Sequence, residues 1–231
     1  MIKIENIVTP SCEQWDAVIR GMRNPMNSWD KSDSYYTHIE DAETLQTAPF
    51  EFFVGEADEK LMKNLASAGS DHRKYLRMIP VFIDITAPLY WWKEFDTYKI
   101  GTVANSCSTM HKIHAKKFEI DDFSLETARK IVIPAVTEDL IDTLNELREI
   151  FNDWENKKDI FEEDGITRED IWKAMIELLP SSYNQKRTVF LNYENLRSMY
   201  QARKNHKLSE WREFCSKIAE LPMFKDIFEL E

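Results

Sequence analysis

From residue 2 to residue 8 apolar and polar side chains alternate, which predicts a short strand. Ser11 follows as a helix cap, with Trp15, Val18, Ile19 and Met22 on one helical face behind it. Residues 24–50 are rich in turn formers and aromatics and read as a long ordered loop. A helix is predicted over 57–68, stopped by Gly69. Ile79, Val81, Ile83 and Ile85 recur at period two, so 78–87 reads as a strand, and Pro80 within it points to an edge position or a bulge. Pro88 suits the first turn of an aromatic-rich helix over 88–99. The stripe Leu140, Ile141, Leu144, Leu147, Phe151 and Trp154 predicts a long helix over 138–156. Thr167 with Asp170 gives a capping-box pattern for a helix ending near Leu179. Residues 187–191 read as extended, and two last helices are predicted over 192–203 and 208–221. The whole is a helix-rich α+β chain with a small, mostly antiparallel sheet wrapped by helices.

Composition narrows the class of function. The 231 residues are 43% apolar and 12% aromatic, enough to bury a core; a single domain over 1–231 is expected. There are five glycines and no G-x-G-x-x-G or G-x-x-x-x-G-K-[ST] pattern, so the usual dinucleotide and P-loop signatures are missing. A net charge of −11 argues against a protein that coats nucleic acid. Much of that charge lies in 138–164, where eleven acids face three bases, a solvated helix face. The remainder is near neutral and leaves room for a local pocket for a small anion.

Cys12, Cys107 and Cys215 are odd in number and far apart, so no disulfide framework or C-x-x-C metal site is visible. His111, Lys112 and His114 give no metal-ligand spacing, and no metal is expected. Cys107, between Ser106 and Ser108, reads as a small buried thiol and not as a nucleophile, because no partner base is evident. No apolar run approaches the ~20 residues that span a membrane, and no signal pattern opens the chain. A cytoplasmic location, away from membranes, is expected.

The segment Ala87-Pro88-Leu89-Tyr90-Trp91-Trp92-Lys93-Glu94-Phe95 is a strand end followed by a helix, and it continues through Thr97-Tyr98-Lys99 to Asn105-Ser106-Cys107-Ser108-Thr109-Met110-His111. This resembles the signature of the flavin-dependent thymidylate synthases. There an Ala-Pro, an Arg-Gln-aromatic triplet and an R-H-R-x-x-S-x-N-E-x-S-x-R-Y motif follow in that order. Lys93-Glu94-Phe95 falls on the triplet and Thr97-Tyr98-Lys99 on the Arg-His-Arg. Asn105, Ser106, Ser108, Met110 and His111 fall on the rest if one residue is inserted after Thr102. Downstream, Leu179-Pro180, Asn192, Leu196 and Arg203 keep the family's separations, and Ser209-Glu210-Trp211-Arg212 resembles its next helix. His72, fifteen residues before Ala87, stands where the family has a flavin-site histidine.

The resemblance implies a homotetramer with active sites shared between subunits, and methylation of dUMP with methylenetetrahydrofolate, reduced FAD and NADPH. It gives catalytic places to Arg203, Ser108 and Glu94, and cofactor contacts to His72, Tyr98, Lys99 and Asn192. It gives substrate contacts to Lys93, Glu94, Ser106, Ser108, Lys186, Arg187 and Arg203. The chemistry needs cations aimed at phosphates and no protein nucleophile. Several positions depart from the pattern. Thr97 and Met110 each remove a cation, Tyr98 replaces an imidazole, Ser106 replaces a carboxylate, and Glu94 replaces a neutral amide. A thymidylate synthase-like flavoprotein acting on dUMP or a related pyrimidine nucleotide is the first expectation. The alternative is a nucleotide-binding or structural protein of the same fold that has lost catalysis.

Overall fold

A computed structural model describes residues 2–38, 50–131 and 134–230. Strand β1 (Lys3–Val8) leads to α1 (Cys12–Arg23), β2 (Tyr35–His38), β3 (Phe50–Phe53) and α2 (Glu56–Ser67). Then come β4 (Pro80–Pro88), α3 (Leu89–Phe95), β5 (Val103–Ser106) and the short helices α4 (Thr109–Lys112) and α5 (Ala128–Ile131). The long α6 (Pro134–Asn152) precedes one-turn α7 (Trp154–Lys157) and α8 (Asp159–Glu162), then α9 (Arg168–Leu178). The chain ends with β6 (Asn184–Asn192), α10 (Tyr193–Arg203), α11 (Ser209–Ala219) and α12 (Phe224–Phe228). Four strands form one sheet in the order β1-β4-β6-β5, and β2 pairs antiparallel with β3 in a second. The fold is α+β, as the patterning predicts.

The chain divides into two compact units. One contains residues 1–3, 85–97 and 105–187. Its core joins Ile113, Phe118, Phe123, Ile141, Leu144 and Met175, with Leu140, Leu147 and Phe151 packed against it. The long helix starts at Pro134 and stops at Asn152, so Trp154 leaves the expected stripe and stacks on Phe161 at 6.0 Å in the one-turn segments that follow. Thr167 and Asp170 close the capping box at the start of α9.

The other unit contains residues 4–84, 98–104 and 188–231. Trp15, Met22, Met62, Leu76, Ile83, Leu191, Tyr193, Leu196, Trp211, Phe214 and Phe224 are buried in it. Ser11 caps α1 in a full box with Gln14, and Gly69 adopts φ +111° just past α2. Pro80 is neither an edge residue nor a bulge: it is the first residue of β4, which lies between β1 and β6, a position where a missing N–H costs no ladder bond. The expected loop over 24–50 contains two 3-10 turns, β2 and the first residue of β3, while 39–49 lie outside the described residues.

A buried carboxylate joins α1 to α2. Asp58 is fully buried and accepts from the Arg23 guanidinium, from Ser32 Oγ and Ser34 Oγ at 2.8 Å each, and from the backbone N–H groups of Asp33 and Ser34 at 3.1 Å. Burial pushes its pKa up, but the hydrogen bonds from Ser32, Ser34 and Arg23 outweigh this and hold it below the usual aspartate value.

Candidate functional site

Tyr98, Lys99, His72, Asn192 and Arg203 all fall in the unit built around α10. Its helix N-terminus explains part of their arrangement. Asn192 and Asn195 close a reciprocal capping box, each side-chain oxygen accepting the other's backbone N–H. Their remaining amide hydrogens reach the turn before β5: Asn195 Nδ2 donates to the Ile100 carbonyl at 2.7 Å, and Asn192 Nδ2 to that of Gly101 at 3.5 Å. Thr102 Oγ1 closes the turn on the Tyr98 carbonyl at 2.6 Å. Tyr98 and Lys99 therefore sit on a clamped turn.

Gly101 in that turn has φ +75°, and a β-carbon there would approach Asn192 Nδ2 to 3.1 Å. Gly101→Ala is expected to cost about 1–2 kcal/mol for the left-handed conformation, with further loss as Asn192 moves. Thermal unfolding checks this; a melting temperature equal to wild type would show that the turn is not held.

At the other end of α10, Arg203 Nε donates to Tyr98 Oη at 3.0 Å, and its Nη1 lies 3.1 Å from His206 Nε2. The guanidinium carbon stands 4.8 Å from the Trp211 ring centroid and 5.7 Å from that of Tyr98. The two rings meet edge-on at 6.2 Å. His206 Nδ1 faces the Leu208 N–H at 3.2 Å, so the imidazole lies between two donors. A neutral ring has a single acceptor nitrogen for these two contacts. Cys215 is buried nearby; burial pushes its thiol up to about 12 against a weaker pull from Arg203, so it is not a thiolate nucleophile at neutral pH.

Neither His206 nor Trp211 stood out as a site residue in the sequence. Both follow α10, and the signal that could have found them is their distance of three and eight residues from Arg203, across a turn into α11. Lys99 is exposed and makes no ion pair or hydrogen bond among the described residues. His72 is exposed beside Arg73, whose Nε donates to both oxygens of Glu194 at 2.9 and 3.0 Å.

Lys93, Glu94, Ser106, Ser108, Lys186 and Arg187 fall in the unit of the long helix. Helix α3 ends at Phe95, earlier than the expected 99, and Thr97 Oγ1 just beyond it donates to the Glu94 carbonyl at 2.7 Å. Trp91 and Trp92 are buried, and Trp92 Nε1 donates to the Gln185 carbonyl. Lys93 is exposed on α3. Arg187 is committed within the unit: it pairs with Asp96 at 2.7 Å, donates to Gln185 Oε1 at 2.9 Å and stacks 4.2 Å from the Trp92 centroid. Ser108 Oγ caps α4 by accepting the His111 N–H, and Ser106 is exposed on β5. Cys107 is a correction. It is exposed and not buried: it directly follows β5, an edge strand whose residues are all open to solvent, and its N–H bonds the Lys186 carbonyl. Among the described residues no group of three His, Cys, Asp or Glu side chains could hold a metal ion, and no helix is long and apolar enough to cross a membrane.

No family model and no curated protein matches the sequence. Solved structures do match. One is thymidylate synthase X (ThyX) from Helicobacter pylori with FAD and dUMP, at TM-score 0.61 and 16% identity, covering 98% of this chain and 95% of that one. Another, of the flavin-dependent ThyX of the same organism complexed with FAD and dUMP, gives 0.60 and 16%, covering 98% and 96%. The fold of this chain is that of the flavin-dependent thymidylate synthases.

Proposed function

We propose that the chain is a thymidylate synthase-like flavoprotein that binds a pyrimidine monophosphate and FAD. The observation that carries this reading is the clamped turn: Tyr98 and Lys99, which stand on the family's Arg-His-Arg, are tied through Asn192 and Asn195 to the N-terminus of α10, and the same helix ends in Arg203 beside Tyr98. Similarity to structures that hold FAD and dUMP supports the ligand class.

The residues present fit FAD in one respect. Lys99 offers an exposed cation on a fixed turn for a pyrophosphate, and His72 is exposed in the same unit. FAD, when bound and reduced, supplies hydride in such chemistry, and methylenetetrahydrofolate supplies the carbon. The protein's part is to hold the anions: Arg203 gives a planar fork to the nucleotide phosphate, and Tyr98 Oη fixes one edge of that fork. Assembly as a homotetramer belongs to the same proposal.

The Thr97-Tyr98-Lys99 triplet keeps one cation where the family motif has two arginines and a histidine. FAD affinity is therefore expected to be lower than in a protein with the full motif by about 1.5–3 kcal/mol per lost charge-assisted bond, or one to two decades. A fluorescence titration with FAD checks this, and nanomolar binding would contradict it. Activity itself is tested by incubating the protein with dUMP, methylenetetrahydrofolate, FAD and NADPH and looking for dTMP. A protein that binds dUMP and yields no dTMP would instead be a nucleotide-binding protein of this fold, a reading favoured by the lost cations at Thr97 and Met110.

A further inference from the structure

A cavity lies in the α10 unit, lined by none of the residues proposed for the nucleotide or the flavin. It is a partly open cavity lined by α2, α10 and α12 and measures about 90 Å³. Ala66, Phe224, Ile227 and Phe228 give it apolar walls, and Tyr200 and Arg197 line it from α10. Met223 and Glu229, both in the left-handed region at φ 60° and 50°, bracket α12, whose Phe224, Ile227 and Phe228 line the cavity.

Arg197 is the unusual member. It is half-buried, and its guanidinium carbon stands 5.8 Å from the Phe228 ring centroid. It makes no hydrogen bond or ion pair among the described residues. Its nearest charges do not satisfy it: Glu194 is engaged with Arg73 through both oxygens. Burial, and then Arg73, pull its pKa below the ordinary arginine value, with Glu194 opposing. A guanidinium held beside an aromatic ring with its donors unused is a ready partner for a planar carboxylate. The other charges on the cavity restrict the ligand. Lys63 is paired with Glu59, and Glu229 stands on the lining, so a dianion meets one available cation and one carboxylate. A monoanion fits that balance better. The volume restricts it further. At about 90 Å³ the space takes a ligand of only a few non-hydrogen atoms.

We propose that this cavity binds a small branched aliphatic carboxylic acid, with the carboxylate on Arg197 and the alkyl group against Ala66, Ile227 and Phe228. The full-length protein titrated with isobutyrate, followed by amide chemical shifts, is expected to show saturable millimolar binding with shifts concentrated in α2 and α12. Isobutyramide, the neutral isostere, is expected to bind at least tenfold more weakly. Arg197→Gln is expected to lower isobutyrate affinity tenfold or more. Ala66→Leu fills the apolar end, keeps the guanidinium, and is expected to abolish binding, which secures the test if the first variant folds poorly. Absence of saturable isobutyrate binding, equal binding of acid and amide, or undiminished binding in Ala66→Leu would each overturn the proposal.

Discussion

Arg203→Ala is expected to weaken binding of a pyrimidine monophosphate by about 2–4 kcal/mol, roughly 30- to 800-fold, because it leaves a partly buried phosphate short of a bidentate cation. The geometry makes the expectation specific. The guanidinium is seated by Tyr98 Oη, by His206 and by the Trp211 face, so its orientation is set before any ligand arrives. Arg203→Lys is expected to keep only part of the affinity, since an ammonium cannot give the planar fork. His206→Gln offers a separate check. It removes the ring that lies between Arg203 and the Leu208 N–H, and is expected to lower affinity less than loss of Arg203 itself. Calorimetry with dUMP and dCMP on wild type and variants decides the matter, with thermal unfolding as a control for folding. Unchanged affinity in Arg203→Ala would place the nucleotide elsewhere.

The largest effect on stability is expected at Asp58. Asp58→Asn keeps the shape but removes the charge that faces Arg23, and turns an accepting oxygen into a donor among hydroxyls and backbone N–H groups. Breaking a buried pair on one side costs about 3–5 kcal/mol, which for a chain of this size is a fall in Tm of roughly 6–20 °C. The double replacement Arg23→Met with Asp58→Leu removes both charges and is expected to recover much of the loss. The pH dependence follows from the sign of the shift. Asp58 titrates below its ordinary 3.8 in the folded chain, so its stabilisation is full above that value and is lost as pH falls through the folded value. Asp58→Asn should therefore flatten the acid limb of the stability curve. A variant that melts within about 1 °C of wild type would contradict this account.

The elements that the sequence shows best are those whose pattern is set by one face meeting one core. Ile79, Val81, Ile83 and Ile85 alternate because β4 is buried on one side, and all four are buried in the structure. Ser11 with Gln14 and Thr167 with Asp170 name their helix starts because a capping box is local chemistry. Edge elements are less legible. β5 (Val103–Ser106) is exposed along its whole length, so no alternation marks it. The β2–β3 pairing joins Tyr35 to Phe53 across a long sequence gap, and register of that kind has no local signal. α3 stops at Phe95, short of the reach that its aromatic content suggests.

The candidate site divides along the same line. The helix predicted over 192–203 puts Asn192 at its start and Arg203 at its end, and both stand there. The Asn195 bond to Ile100, the His206 and Trp211 contacts, and the commitment of Arg187 to Asp96 depend on segments far apart or across turns. Asp58 reads in the sequence as one more acid in the first turn of a helix; only its depth and its donors distinguish it.

The central claim, that this fold still serves as a flavin and nucleotide site, is tested most directly by the visible absorption spectrum of the purified protein after incubation with FAD and dUMP and removal of unbound ligand. The account predicts a retained flavin spectrum that is diminished in Lys99→Ala, and a calorimetric response to dUMP that is weakened in Arg203→Ala. A colourless wild-type protein under those conditions, with no calorimetric response to dUMP, would contradict it.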